Sequence, residues 1–126
     1  MSSPSDRFYT STHEWIKPDG DGVLIGISKF AVDELTDVTF VEMPAVGKPV
    51  VAGKAFGEVE SVKATSEIYA PLDGEIMAVN QAVKDDPSLL NQDPYELGWL
   101  IRVKTGQKDF SAFMTAEKYD AAHGHG

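Results

Sequence analysis

The sequence predicts a mainly β fold: a flattened barrel or small sandwich of short antiparallel strands, with a few short helices including one at the C-terminus. Three observations carry this expectation. From Val46 to Val79, short alternating runs are broken by Gly and Pro, as in strands joined by tight turns. Residues 7–27 repeat the pattern around Pro18-Asp19-Gly20-Asp21-Gly22, a run of turn formers. Helical signals are confined to brief stretches. At 126 residues the chain has the size of one domain with its own core.

Phe8-Tyr9 and Trp15-Ile16, the turn at 18–22 and Val23-Leu24-Ile25-Gly26-Ile27 read as an opening β-hairpin. Ser28 is then an N-cap for a short helix through Leu35, with Phe30, Ala31, Glu34 and Leu35 at helical spacing. Val38 to Met43 returns to strand and stops at Pro44. Asp86-Pro87-Ser88-Leu89-Leu90 places proline in the first turn after a cap, which predicts a short helix. Trp99-Leu100-Ile101-Arg102-Val103 is a last strand, and Thr115-Ala116-Glu117-Lys118-Tyr119 opens a C-terminal helix. Gly47-Lys48-Pro49-Val50 and Gly74-Glu75-Ile76-Met77 form a weak internal echo. Trp15, Phe40, Tyr69 and Trp99 alternate with small or polar residues and are expected in the core.

Composition removes several classes of function. The chain has no cysteine, so disulfides, Cys–zinc sites and a thiol nucleophile are all absent. Any redox chemistry must therefore come from an attached or bound group. A net charge of −9 and the lack of a basic stripe argue against nucleic acid. The same charge suits steering towards partners with basic surfaces, and equally suits solubility alone. No apolar run reaches the roughly 20 residues that span a bilayer. The first residues lack a charged-then-apolar signal design, which predicts a cytoplasmic bacterial protein, or a mitochondrial matrix protein in a mature eukaryotic form. His13 lacks second and third ligands nearby, and the frayed stretch of about 121–126 is read as a tail, so no metal site is expected.

The most telling residue is Lys63. It lies between two alternating runs in Glu58-Val59-Glu60-Ser61-Val62-Lys63-Ala64-Thr65-Ser66-Glu67-Ile68, near the break of a hairpin, where its amine is expected to stand in water. Most surface lysines mean only solvation; the flanking pattern sets this one apart.

Glu60-Ser61-Val62-Lys63-Ala64, with Ser66, Tyr69, Pro71, Gly74 and Asn80 downstream, resembles the lipoylation site of the glycine cleavage system H-protein family. The resemblance spans nearly the whole chain. His13-Glu14-Trp15, Ile25-Gly26-Ile27-Ser28, the run from Asp37 to Pro44, and Leu89 to Asn91, Pro94, Tyr95 and Gly98-Trp99-Leu100 follow in the family's order. It implies a lipoyl/biotinyl-type barrel-sandwich and a single lipoyl-carrier domain over 1–126, expected to be monomeric. It further implies lipoate covalently bound to Lys63 and no catalysis by the chain itself.

Lysine suits that attachment because a primary amine acylates, whereas the delocalised guanidinium of arginine does so poorly. The arm would extend about 14 Å from Cα, taking roughly eleven bonds at standard geometry. The resemblance implies a shuttle. An aminomethyl group is received from the pyridoxal-phosphate glycine decarboxylase (P-protein) and delivered to the tetrahydrofolate-dependent aminomethyltransferase (T-protein). The flavin enzyme dihydrolipoamide dehydrogenase (L-protein) then reoxidises the arm. It also implies a lipoate-attaching enzyme, for which Glu60 is a recognition candidate. Glu14, Thr12 and Glu67 are candidates to sequester the cationic loaded arm, where the family more often has Ser and Asp beside the same Glu. Two further departures are Leu35-Thr36-Asp37 for Leu-Gly-Asp, which predicts a less relaxed helix end, and Thr39-Phe40 for an aliphatic–Tyr pair.

Rival readings remain at this level. A lipoyl domain of a 2-oxoacid dehydrogenase complex usually has Asp-Lys-Ala and belongs to a longer chain, and a biotin carrier usually has Met on both sides of its lysine. A lipoyl-relay paralogue that donates its lipoyl group to other enzymes is not separated from the shuttle by sequence. An unmodified β-domain would leave Lys63 bare.

Overall fold

The computed structural model describes residues 4–106 and 109–123. In chain order these form β1 (Phe8–Tyr9), β2 (Glu14–Asp19), β3 (Gly22–Ile27), α1 (Lys29–Leu35), β4 (Val38–Glu42), β5 (Pro49–Val50), β6 (Ala55–Ser61), β7 (Thr65–Tyr69), β8 (Gly74–Val79), α2 (Gln81–Asp85), α3 (Leu89–Gln92), β9 (Ile101–Lys104) and α4 (Ala116–His123). The strands make two antiparallel sheets, ordered β1-β2-β3-β9-β8-β5 and β4-β6-β7. The expected β architecture holds, as two open sheets around a common core.

Alternation decides which side chains fill that core. Ile16, Val23, Ile25, Ile76, Ile101 and Val103 from the larger sheet share one buried cluster with Val38, Val41, Val59 and Ile68 from the smaller. A second, aromatic cluster of Tyr9, Trp15, Ala116 and Tyr119 lies where α4 meets β1 and β2. Arg7 presses its guanidinium over Trp15 and Tyr95, 4.6 and 5.4 Å from the ring centroids, and donates to the Tyr95 carbonyl. Trp15 is buried as expected, and Tyr69 and Trp99 are half-buried. Phe40 is not in the core: it faces solvent with 48% exposure, opposite Glu60 in the β4–β6 register.

The opening hairpin turns more tightly than the sequence suggests. β2 runs through Asp19 and β3 begins at Gly22, leaving Gly20 (φ 63°) and Asp21 as the loop. Pro18 fits within β2 because β1 pairs only as far as Trp15 and Ile16, so no partner strand there needs its missing N–H. Ser28 caps α1 as expected, its Oγ accepting from the Ala31 N–H. The sequence reading missed α2. Five residues are too few for periodicity, and its signal is the Asn80 cap, whose Oδ1 accepts from the Ala82 N–H. Asp86 accepts from the Ser88 N–H ahead of α3. Residues 121–123, read as frayed, close α4, while 124–126, including His125, lie outside the described residues.

The two echoing tetrapeptides lie against each other. Pro49 pairs with Glu75 and Val50 with Gly74, and backbone bonds join Gly47 N to Ile76 O and Ile76 N to Lys48 O. Gly47 needs its glycine for a left-handed turn (φ 93°). Gly74 does not, since its φ is not positive. Its requirement is space: a Cβ there would lie 2.3 Å from Val103 Cγ1 and 2.5 Å from the Lys104 carbonyl oxygen. Gly74→Val should therefore destabilise the fold by about 1–3 kcal/mol through overpacking. Denaturant midpoints read this directly, and a midpoint equal to wild type would refute the close-approach account.

Candidate functional site

β6 and β7 form a hairpin whose turn carries Lys63. One serine shapes it: Ser61 Oγ accepts from the backbone N–H groups of Lys63 (3.1 Å) and Ala64 (3.0 Å), and Ser61 N donates to the Ala64 carbonyl. Local hydroxyl-to-backbone bonding of this kind stabilises a turn without tertiary help. Val62 and Lys63 are both exposed. The amine does not stand wholly free, however: Lys63 Nζ donates to the Glu34 carbonyl at 3.1 Å, and Val62 N donates to the Asp37 carbonyl. A cation at the end of α1 satisfies a carbonyl that has no partner within the helix.

The end of α1 carries strain that sequence reasoning anticipated. Thr36 adopts φ 65°, in the left-handed region that glycine occupies more readily. Such a residue persists only where its surroundings hold it. Here Asn91 on α3 does so, donating to the Thr36 carbonyl and accepting from Val38 N.

Beside the hairpin lies a cavity of about 310 Å³. It is lined by Ala64, the residue after Lys63, and by Thr12, Glu14, Glu67, Ile27 and Leu35 among others. Three of the sequence candidates thus meet at one cavity. Glu67 is exposed, whereas Glu14 is only 2% exposed, which excludes a solvated strand carboxylate. The Glu14 carboxylate accepts from Thr10 Oγ1 at 2.7 Å, from the Thr12 hydroxyl and from the Tyr69 N–H at 3.3 Å. Burial holds the Glu14 carboxyl above its ordinary value of 4.5, with these bonds pulling the other way. Thr10 was not foreseen, although Thr10, Thr12 and Glu14 at two-residue steps are the signal that would have found it. Glu60, the fourth candidate, lies apart from the cavity on β6, half-buried beside Thr65.

With this geometry in view, likeness to known proteins is decisive. The family model described as glycine cleavage H-protein matches residues 7–125. The chain belongs to that family. It is 52% identical over 120 residues to a glycine cleavage system H protein of Thermus thermophilus, covering 94% of each chain. The corresponding figures for the probable glycine cleavage system H protein of Natronomonas pharaonis are 47% over 118 residues and 94% of each. The crystal structure of a glycine cleavage system H protein from Mycobacterium marinum superposes with a TM-score of 0.88 at 43% identity, covering 96% of this chain and 98% of that one. H-proteins hold lipoate covalently on a lysine and shuttle the aminomethyl group of glycine without catalysing a reaction themselves. This chain is such a carrier, working with the other components of the glycine cleavage system.

The buried Glu14 makes a pH prediction. Its folded-state pKa is raised above the unfolded value, so the folded state binds its proton more tightly. Stability is therefore lost as pH rises from the ordinary carboxylate value through the raised one. Glu14→Gln lacks this loss, so the stability difference between the two proteins should shift towards the variant across that interval. A difference that stays flat with pH would show that burial does not hold the Glu14 carboxyl above its ordinary value.

Proposed function

We propose that Lys63 is the lipoyl attachment point and that the cavity beside it is where the loaded arm rests, with the whole chain acting as one monomeric carrier domain. The observation that carries this reading is the pairing of an exposed turn lysine with a cavity whose lining holds a buried carboxylate. When bound, the lipoyl group supplies the two sulfurs whose redox and nucleophilic chemistry a chain without cysteine lacks. The residues present suit it: Ile27, Leu35 and Ile68 offer apolar wall to a methylene chain, and Glu14, Thr12 and Glu67 offer oxygens to a cationic end.

The chain's own part is to bind and to exclude water. A cationic aminomethyl group free in water would lose ammonia and formaldehyde to hydrolysis. In the cavity, an ionised Glu14 attracts it through charge-assisted hydrogen bonds, stronger than neutral ones. Lys63 must first leave the Glu34 carbonyl to be acylated, and Glu60, three residues before it, is the candidate contact for the lipoate-attaching enzyme. The three partners of the shuttle are the pyridoxal-phosphate glycine decarboxylase, the tetrahydrofolate-dependent aminomethyltransferase and dihydrolipoamide dehydrogenase. The setting is the bacterial cytoplasm, or the mitochondrial matrix for a mature eukaryotic form. No helix among the described residues is long and apolar enough to cross a membrane.

Lys63→Arg keeps the charge and removes the acylatable amine. Intact mass after incubation with lipoate and its attaching enzyme should show the lipoyl increment on wild type and none on the variant; an increment on the variant would overturn the assignment. Glycine cleavage reconstituted with the purified partner enzymes should depend on the lipoylated chain. A lipoylated chain that supports no turnover would point to a lipoyl relay instead.

The role of Glu14 has its own measurement. Glu14→Gln should lipoylate and fold normally yet release ammonia faster from the aminomethyl-loaded form without the transferase. In wild type that protection should fade as pH falls through the raised Glu14 value, because protonation removes the charge that attracts the amine. Equal release from both proteins at neutral pH would remove Glu14 from the site.

A further inference from the structure

The cavity is braced by a part of the molecule that does not line it, and His13 is the lining residue that the brace reaches. This residue lines the cavity between Thr12 and Glu14, and its backbone is left-handed, with φ 73°. Histidine is among the residues found in that region more often than most, but it stays there only when its neighbours hold it. Four contacts do so. The His13 N–H donates to the Thr10 carbonyl at 3.1 Å, and its own carbonyl accepts from Ser28 N at 2.8 Å. Its ring lies 4.6 Å from that of Phe30, and its Nδ1 is 2.7 Å from the Tyr119 hydroxyl. The turn from Thr10 to His13 is the same turn that aims both threonine hydroxyls at the Glu14 carboxylate.

Tyr119 comes from α4, and no α4 residue lines the cavity. Its ring is buried, stacked 4.8 Å from Tyr9, and burial pushes its hydroxyl up to about 12, so it keeps its proton at neutral pH. The hydroxyl also lies 2.6 Å from Ser28 Oγ, the cap of α1, and α1 forms another wall of the cavity. One hydroxyl outside the cavity thus holds two of its walls: the turn that orients Thr10, Thr12 and Glu14, and the start of α1. Ring stacking on Tyr9 would bury a phenylalanine equally well, so the hydroxyl itself is what needs a purpose.

We propose that Tyr119 is a positioning residue for the aminomethyl-loaded arm, acting through His13 on the Glu14 carboxylate, so that the C-terminal helix takes part in protecting the shuttle's cargo. The proposal rests on the cavity being the arm's resting place, and the test separates the two. Ammonia release is measured from five purified, lipoylated and aminomethyl-loaded proteins without the transferase: wild type, Glu14→Gln, Tyr119→Phe, His13→Asn and His13→Ala. Asparagine tolerates the left-handed backbone and offers an oxygen near the place of Nδ1. It should therefore stay close to wild type, while His13→Ala, which loses both features, should resemble Tyr119→Phe. Tyr119→Phe should be lipoylated at the wild-type rate and release ammonia roughly two- to tenfold faster, the range set by one net hydrogen bond.

A second readout reports position and not stability. In nitrogen-15 NMR, the His13 ring should show a fixed balance of its two nitrogens in wild type, and Tyr119→Phe should change it. If Glu14→Gln accelerates release while Tyr119→Phe and His13→Ala match wild type, the positioning role is overturned and the cavity's role stands. If Glu14→Gln also matches wild type, the resting place itself is overturned. Should Tyr119→Phe fold poorly, the contrast between His13→Ala and His13→Asn decides the same question, and equal rates for that pair would overturn the positioning role.

Discussion

A buried carboxylate sets the terms for this protein. Taking an ionised side chain from water into an apolar interior costs several kcal/mol unless hydrogen bonds replace its hydration. Glu14 is nearly sealed, and three donors meet that cost: two threonine hydroxyls from its own turn and the backbone N–H of Tyr69. Because Glu14 opens β2 and Tyr69 ends β7, the carboxylate also ties the two sheets together. The first hairpin and the lysine hairpin are thereby held at opposite sides of one cavity. Among the described residues no buried side-chain nitrogen or oxygen lacks a partner, so this polar centre is a finished network.

Around it, the molecule divides into rigid and responsive parts. The strands on the core side of both sheets are closely filled, and glycines such as Gly74 admit no extra carbon. The lysine turn is different. It rests on Ser61 and on two carbonyls near the end of α1, contacts at the surface that can open without disturbing the core. On the proposed reading a carrier needs this combination, with a turn free to present its lysine beside a cavity that keeps one shape.

Surface electrostatics fit the same picture. With a net charge of −9, exposed carboxylates surround an exposed lysine turn, which favours approach by positively charged surfaces. Glu42, Glu58 and Glu67 lie directly opposite one another across β4, β6 and β7, an arrangement that costs the sheet some stability. Phe40 and Val62, apolar and exposed, stand on the same small sheet and at its turn. Arg102 instead belongs to the framework, bonded to Asp19 and Asp21 and so closing the far end of the first hairpin.

What could be read from sequence was whatever neighbouring residues decide among themselves. The turn at Lys63, the Ser28 cap, the difficult end of α1 at Thr36 and the succession of short strands all follow from residues a few positions apart. So does the family, whose motifs run in order along the chain. The candidates Thr12, Glu14 and Glu67 were legible only through that likeness, and it did not show that Glu14 is buried. Burial depends on which strands pack together, and so do the exposure of Phe40, the steric demand at Gly74 and the seat of the Lys63 amine on Glu34. The bond between His13 and Tyr119 joins residues 106 positions apart. Local chemistry selects turns, caps and strands, but contacts across such separations exist only once two sheets and a terminal helix have closed around the same core.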